Sequence, residues 1–262
     1  MLLRKESQGT IAVPQIVHAW VSGQMAKAWG NDRFAAPAPR EILCLAAEQH
    51  DLGWLDYDML PDFDDANGLP LEFHQVPESA HTALWRDGVN HARVYGRYVA
   101  LLVSLHADTI YTRHFDFRKA DRETAALVRR FLDDQRAFQA DMLAALAADP
   151  AYAGVATQEL VDHNRLLIAA LDAMSLAICW GVAQPVHIKS VPLRLGETTE
   201  LVLTPAGSAT QVAVDPWPFA EPNVEIQAEG KRLHGPYADA DELREAFEGA
   251  DPAVLRITLR PA

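Results

Sequence analysis

An apolar helix leads into a His-Asp pair in the segment Ala46-Ala47-Glu48-Gln49-His50-Asp51-Leu52-Gly53-Trp54. Apolar residues from Ile42 onward recur at three- and four-residue spacing, which predicts a helix with His50 on its buried face. Asp51 shares a face with Cys44, so its carboxylate lies among apolar side chains, where an unpaired charge is too costly to keep. Neutral imidazole and ionised carboxylate are ligands of divalent cations. The pair therefore predicts half of a metal site, in a helix that ends near Gly53.

Length and composition restrict the class of protein. The chain has 262 residues, 49% of them hydrophobic, which is typical of one large domain or of one domain with a smaller appendage. Its net charge of −13 repels a phosphate backbone and excludes nucleic acid as a partner. Cys44 and Cys179 lie in apolar helical stretches, as reduced thiols of a cytoplasmic protein do. Asp172 interrupts the longest apolar stretch, residues 166–183, and argues against a membrane span.

Further helices bring more histidines to buried faces. The periodicity predicts helices over 14–30, 77–91, 94–114, 121–148 and 157–181. His18 lies on the apolar face of the first of these, and His106 on that of the third. His81 belongs to the second helix, and Asp172 to the middle of the last.

Asp172 needs a partner because its neighbours on the helix are apolar and leave little water for a charge. Arg165, two turns earlier, would form a structural ion pair with it. Alternatively, Asp172 shares a metal ion with His50 and Asp51. We favour the metal.

The order of these residues resembles a known superfamily. An inward His18, the pair His50-Asp51 and a late Asp172 resemble the HD-domain superfamily of metal-dependent phosphohydrolases, over about residues 14–182. The resemblance implies that these four residues hold a divalent ion, with Mn, Fe, Ni, Mg and Zn left open. Most of the chain also resembles an uncharacterised bacterial family, a domain of unknown function, in segments that include Asn67-Gly68-Leu69-Pro70-Leu71-Glu72-Phe73 and Leu101-Leu102-Val103-Ser104-Leu105-His106.

The periodicity changes after Gln184, where apolar and polar residues alternate between prolines and glycines. This pattern predicts a small antiparallel β-region with a short helix over 239–249. The predicted fold is mainly α. An HD-like helical metal-site domain with a short N-terminal hairpin covers residues 1–184, and a β-rich C-terminal region covers residues 185–262.

The predicted function is metal-dependent hydrolysis of a small phosphate ester or nucleotide, because a bound divalent ion activates water and polarises a phosphoryl oxygen. His106 and His81 are candidates to bind a second metal or to orient the nucleophile. Asp58 is a candidate general base, and Arg97 or Arg113 would meet the negative charge of the substrate.

Other functions stay open at this stage. No basic residue directly follows His50-Asp51 to bind phosphate, which favours a non-enzymatic metal-binding or ligand-binding sensor as the alternative. The superfamily resemblance also implies a di-iron oxygenase branch. The long loop from Leu52 to Val76 is predicted to cover the mouth of the site with its aromatic residues. We expect an anionic small-molecule substrate and no membrane partner, and a homo-oligomer stays open.

Overall fold

The computed structural model describes residues 1–152 and 154–262 and shows an α/β fold, in which helices pack against a seven-stranded mixed sheet. The helices are α1 Gln15–Ala28, α2 Arg40–Glu48, α3 Leu55–Met59, α4 Glu78–Ala92, α5 Arg97–His114, α6 Arg122–Ala147, α7 Gln158–Trp180 and α8 Ala240–Gly249. The strands are β1 Leu2–Glu6, β2 Gly9–Val13, β3 Phe63–Asp64, β4 Leu69–Pro70, β5 Val186–Pro192, β6 Thr198–Pro205, β7 Gln211–Asp215, β8 Val224–Leu233 and β9 Pro252–Pro261. Short 3-10 turns cover Leu52–Trp54 and Phe73–Gln75.

The prediction of a mainly α, HD-like helical bundle with a small β-rich region is wrong, because the sheet has seven strands and extends to the N-terminus. The sheet has the strand order β1-β2-β8-β9-β7-β6-β5, so the N-terminal hairpin is continuous with the C-terminal strands. It is also mixed, because β7 pairs parallel with β9. The alternation of apolar and polar residues along the sequence indicates each strand. It carries no information about a partner strand that lies more than 200 residues away, as for β2 and β8.

The helices follow the sequence pattern more closely. α1, α4, α6 and α7 lie within the predicted ranges or within one residue of them. The predicted helix over 94–114 begins instead at Arg97, because Gly96 has a φ of 135°, outside the helical region. Among the described residues, none of the helices has both the length and the apolar character that a membrane crossing requires.

Helix α7 lies at the centre of the fold. It packs against α1, α2, α5, β1 and β5, and its apolar residues belong to a core that helices and strands share. At its C-terminal end, the buried Arg4 of β1 donates hydrogen bonds from Nη1 to the carbonyl of Ile178 (3.1 Å) and from Nη2 to that of Ala209 (3.1 Å). A cation is favourable at a helix C-terminus, where carbonyl groups are unpaired. Arg4 therefore fixes the sheet to the end of α7.

Gly53 allows the turn after the His-Asp pair to approach α4. A Cβ at Gly53 would lie 1.9 Å from the carbonyl oxygen of Leu84 and 2.8 Å from the amide nitrogen of Gly88. Helix α2 already ends at Glu48, so the glycine serves close backbone packing and not, as the sequence suggested, the end of the helix. The close packing of α4 against this turn thus depends on Gly53, two residues after Asp51.

We expect Gly53→Ala to destabilise the protein by about 3 kcal/mol or more, because the backbone of Leu84 would have to move. Gly249→Ala is the matched control, because a Cβ there would meet no described heavy atom within 4 Å beyond its own turn of helix α8. It should change stability by less than about 1 kcal/mol. Urea unfolding of the two variants measures the difference. Equal stabilities would contradict the role assigned to Gly53.

Candidate metal centre

Five buried His and Asp side chains come together between the helices. His18 lies on α1, His50 and Asp51 follow α2, His106 lies on α5, and Asp172 lies on α7. Two overlapping groups have their donor atoms within 4.8 Å of one another, namely His18, His50 and Asp51, and His50, His106 and Asp172. The structure thus brings together His18, His50, Asp51 and Asp172 with His106, which the sequence analysis gave as a candidate to bind a second metal. We call these five residues the cluster.

The carboxylates lie between the imidazole nitrogens. Nε2 of His18 is 3.2 Å from Oδ1 of Asp172 and 3.4 Å from Oδ2 of Asp51. Nε2 of His50 is 3.4 Å from the same Oδ1 and 3.3 Å from Nε2 of His18. On the other side, Nε2 of His106 is 3.8 Å from Oδ2 of Asp172. Asp172 is therefore in contact with all three histidines.

The donor set fits a divalent cation. Nδ1–H of His50 donates to the carbonyl of Ala47 (2.8 Å), so in the neutral ring the lone pair of Nε2 is directed toward the carboxylates. Lone pairs that face one another repel unless a positive charge lies between them. Metal–ligand bonds of about 2.0–2.2 Å would separate neighbouring donor atoms by about 3.0–3.5 Å, close to most of the separations above. The buried His and Asp groups can hold a metal ion, and nitrogen and oxygen ligands suit several first-row metals.

The charges of the cluster also favour a cation. Burial raises the pKa of Asp51. Burial opposes the charged form of Asp172 as well, but hydrogen bonds from His18 and His50 hold its pKa below the usual range. Burial opposes the imidazolium of His50, yet Asp51 and Asp172 outweigh it and raise the pKa to about 9. Burial and His50 lower the pKa of His106 to about 3. The two carboxylates thus attract positive charge, which a divalent cation supplies in place of a proton.

Polar side chains around the cluster fix the positions of its acids. Gln15, buried one turn before His18, donates from Nε2 to Oδ2 of Asp51 (3.4 Å). The hydroxyl of Ser22 donates to that of Ser175 (2.9 Å), which donates to the carbonyl of Asp172 (2.8 Å). The sequence analysis missed these residues. The spacing of three between Gln15 and His18 on one helix face was the available indication.

A pocket of about 1,130 Å³ leads from the surface to the cluster. Asp172 lines it, and its side chain is 10% exposed, whereas those of His18 and His106 are 1% exposed. Residues 186–190 of β5 form part of the wall, opposite residues of α5 and α7. The C-terminal strands therefore contribute to the site, and a molecule in the pocket reaches the cluster at Asp172.

His81 lies outside the cluster and lines the same pocket. Burial favours neutral Glu78, but His81, whose Nδ1 lies 3.7 Å from Oε2, and a hydrogen bond from Tyr111 hold the pKa of Glu78 below the usual range. The hydroxyl of Tyr111 donates to Oε2 of this carboxylate (2.9 Å) and therefore accepts from Nδ1–H of His81 (2.8 Å). With Nδ1 protonated by this series of hydrogen bonds, Nε2 of the neutral His81 ring is a hydrogen-bond acceptor.

The other residues predicted for the site lie in different surroundings. Asp58 is buried and accepts a hydrogen bond from the amide of Ile16 (3.3 Å) in the first turn of α1. Arg97 pairs with Asp149 on the surface, nine residues and about 13 Å along α5 from His106. The structure therefore brings neither Asp58 nor Arg97 into the cluster.

Two further arginines named in the sequence analysis lie in different surroundings. Arg113 lines the pocket. Arg165 pairs with Asp108 (2.8 Å) and contacts Thr109, so the ion pair considered for Asp172 is formed elsewhere.

The long loop after the His-Asp pair reaches the pocket only at its end. Phe73, His74 and Val76 line the pocket, as expected for a covering segment. Trp54 is buried against His81, with ring centroids 5.4 Å apart. Phe63 packs instead in a separate apolar cluster with Met1 and Leu3.

The comparisons with known proteins give a family but no activity. The family model described as "Protein of unknown function (DUF3891)" matches residues 1–235, which include the whole cluster and the strands from β1 to β8. No curated protein and no solved structure is significantly similar to the chain.

We expect Asp172→Ala to weaken binding of Mn²⁺ by more than about 100-fold, because Asp172 contacts every histidine of the cluster. The melting temperature of Asp172→Ala should not respond to chelator. Chelator should remove about 3 kcal/mol of stabilisation from the metal-loaded wild type. Asp108→Ala is the control, because it leaves Arg165 unpaired and should destabilise the protein with or without chelator. If chelator lowers the melting temperature of Asp172→Ala as much as that of the wild type, Asp172 is not a ligand.

Proposed function

Because the chain belongs to DUF3891, a family of proteins of unknown function, we propose an activity from its own residues: it is a divalent-metal-dependent hydrolase of anionic esters, with phosphate esters as the first class. One observation carries the proposal. Five His and Asp side chains converge at the inner end of a pocket that is large enough for a small-molecule substrate. The order His18, His50-Asp51, Asp172 resembles the HD-domain pattern, and this resemblance supports hydrolysis as the chemistry.

The residues of the cluster would hold the cation through Nε2 of the histidines and the carboxylates of Asp51 and Asp172. A divalent cation held there would lower the pKa of a water molecule and polarise the oxygen of an ester or phosphoryl group. Asp172 is the cluster residue that would lie nearest to the substrate, because its side chain is the most exposed of the five. The apolar walls beside it exclude water from the reacting bond.

His81 would accept the proton of the attacking water. Its ring is held by the hydrogen bond from Nδ1–H to Tyr111, which Glu78 orients in turn, so that Nε2 is the basic atom. Arg113 and Lys189 line the pocket and would attract an anionic substrate, a role that the sequence analysis gave to Arg97 or Arg113. Lys189 also supplies a pocket cation from β5, far in sequence from the His-Asp pair.

The alternatives predict different results in one experiment. A sensor would bind metal or ligand without turnover, and a di-iron oxygenase would require iron and consume oxygen, since nitrogen and carboxylate ligands also suit iron. The assay therefore includes tests of both alternatives.

The free, buried Cys44 and Cys179 agree with the reducing cytoplasm that the sequence predicts.

We expect purified full-length protein to bind a first-row divalent metal and to hydrolyse generic phosphate esters with Mn²⁺, Ni²⁺ or Mg²⁺ present. His50→Ala should abolish turnover, and His81→Gln should reduce kcat by about 100-fold with metal content unchanged, because it removes only the base. His91→Gln is the control, because His91 is exposed near the end of the same helix α4 and does not line the pocket. Metal analysis and a phosphoester screen measure these effects. Metal binding without turnover of any ester, or turnover that His50→Ala preserves, would reject the proposal.

A further inference from the structure

The pocket extends along two helices away from the cluster. On α5, His106 and Arg113 are seven residues apart, which puts them on one helix face about 10 Å apart along the axis. On α7, Asp172 and Trp180 are eight residues apart, or about 12 Å. Arg113, Asp172 and Trp180 all line the pocket. The pocket therefore extends about two turns beyond the cluster residue of each helix.

Much of the pocket surface is apolar. The volume of the pocket, about 1,130 Å³, slightly exceeds the range of about 300–1,000 Å³ that is typical of sites for drug-sized ligands. A phosphate group alone would therefore fill little of the pocket. Small side chains on α7 leave room next to the helix, and larger apolar ones close the opposite side. These lining residues include Ala169, Ala173, Ala177, Ile110, Val186 and Ile188. An apolar molecular body fits this space better than a polar one.

Two cations line the pocket without an ion-pair partner among the described residues. Arg113 and Lys189 line it, and neither forms an ion pair with any described residue. Asp116, an acid of the same pocket, is paired with Arg118, and Glu78 is engaged in the hydrogen bonds described above. In a chain of net charge −13, two unpaired cations in one pocket favour an anionic ligand.

The backbone of β5 is distorted where it meets the pocket. Its register with β6 shifts between Ile188 and Val191, and Ser190 has a φ of 58°. Consecutive residues of a regular strand point to opposite faces, yet Ile188, Lys189 and Ser190 all line the pocket. The register shift and the positive φ of Ser190 fall within this part of the wall, and such bulges and strained residues are frequent at functional sites.

We propose that this pocket binds an amphipathic anion. Its alkyl or aromatic body lies between α7 and β5, and its charged group meets Lys189 and Arg113. The bond to be hydrolysed lies at the other end, beside Asp172. That last position rests on the proposed function, whereas binding of the body and of the anionic group requires no metal.

The test uses the full chain, both dialysed against chelator and loaded with Mn²⁺, and a dansyl-labelled undecanoate as fluorescent probe. Decanoate, decanol and decyltrimethylammonium compete for the site. Decanoate should displace the probe at a concentration at least tenfold lower than the other two, because only decanoate combines the apolar body with an anion. Equal displacement by decanol, or no binding of the probe to either form, overturns the inference.

Variants locate the binding. Lys189→Ala and Arg113→Ala should each weaken decanoate about three- to tenfold and leave decanol unchanged, whereas the exposed Arg256→Ala should change neither. Ala177→Phe should fill the pocket and prevent binding of both ligands, with Ala140→Phe, on the exposed face of α6, as the control. Circular dichroism and metal content show that each variant is folded. Unchanged binding in Lys189→Ala and Arg113→Ala, or in Ala177→Phe, overturns the inference.

The outcome is separate from that of the proposed function. If decanoate binds as expected but neither metal binding nor ester turnover is found, the pocket inference stands on its own and the hydrolase proposal fails. If short phosphate esters are hydrolysed but decanoate does not bind, the pocket inference alone is overturned.

Discussion

Two buried carboxylates among three imidazoles are the constraint on which this structure depends. Asp51 and Asp172 come from segments more than 100 residues apart and meet at Nε2 of His18, with a separation from that atom of 3.4 and 3.2 Å. Two acids held this close in an apolar interior are costly unless positive charge is present. The cluster therefore favours the binding of a cation, and the helices that contribute to it, α1, α5 and α7, must stay packed for that charge to be shared.

Helix α7 connects this constraint to the rest of the molecule. Its middle contributes Asp172 to the cluster, the same face farther along lines the pocket, and its last turn is fixed to the sheet by Arg4. A change in the position of the sheet relative to α7 would thus alter both the wall of the pocket and the exposure of Asp172. Asp172 stands in the apolar part of this 23-residue helix because its carboxylate belongs to the cluster.

The sheet contributes to the site as well as to stability. Strand β5 is an edge strand, and its bulged segment faces α5 and α7 across the pocket. Lys189 on this segment adds a cation to the pocket of a chain whose net charge is −13. The helices therefore provide the metal ligands, and the sheet provides part of the surface that would select the ligand.

The sequence by itself determined the helices and four residues of the cluster, because helical periodicity is local and a buried ionisable residue stands out in an apolar pattern. It identified His18, His50, Asp51 and Asp172, and the structure brings them together. Tertiary structure alone decided that the hairpin and the C-terminal strands form one mixed sheet and that Lys189 reaches the pocket. It also placed His106, which the sequence offered as a ligand of a second metal, in the same cluster as the other four residues. These outcomes depend on strand pairing and on packing between distant segments. Neither leaves a periodic pattern in the chain, because both are set by contacts that form only when the whole core packs.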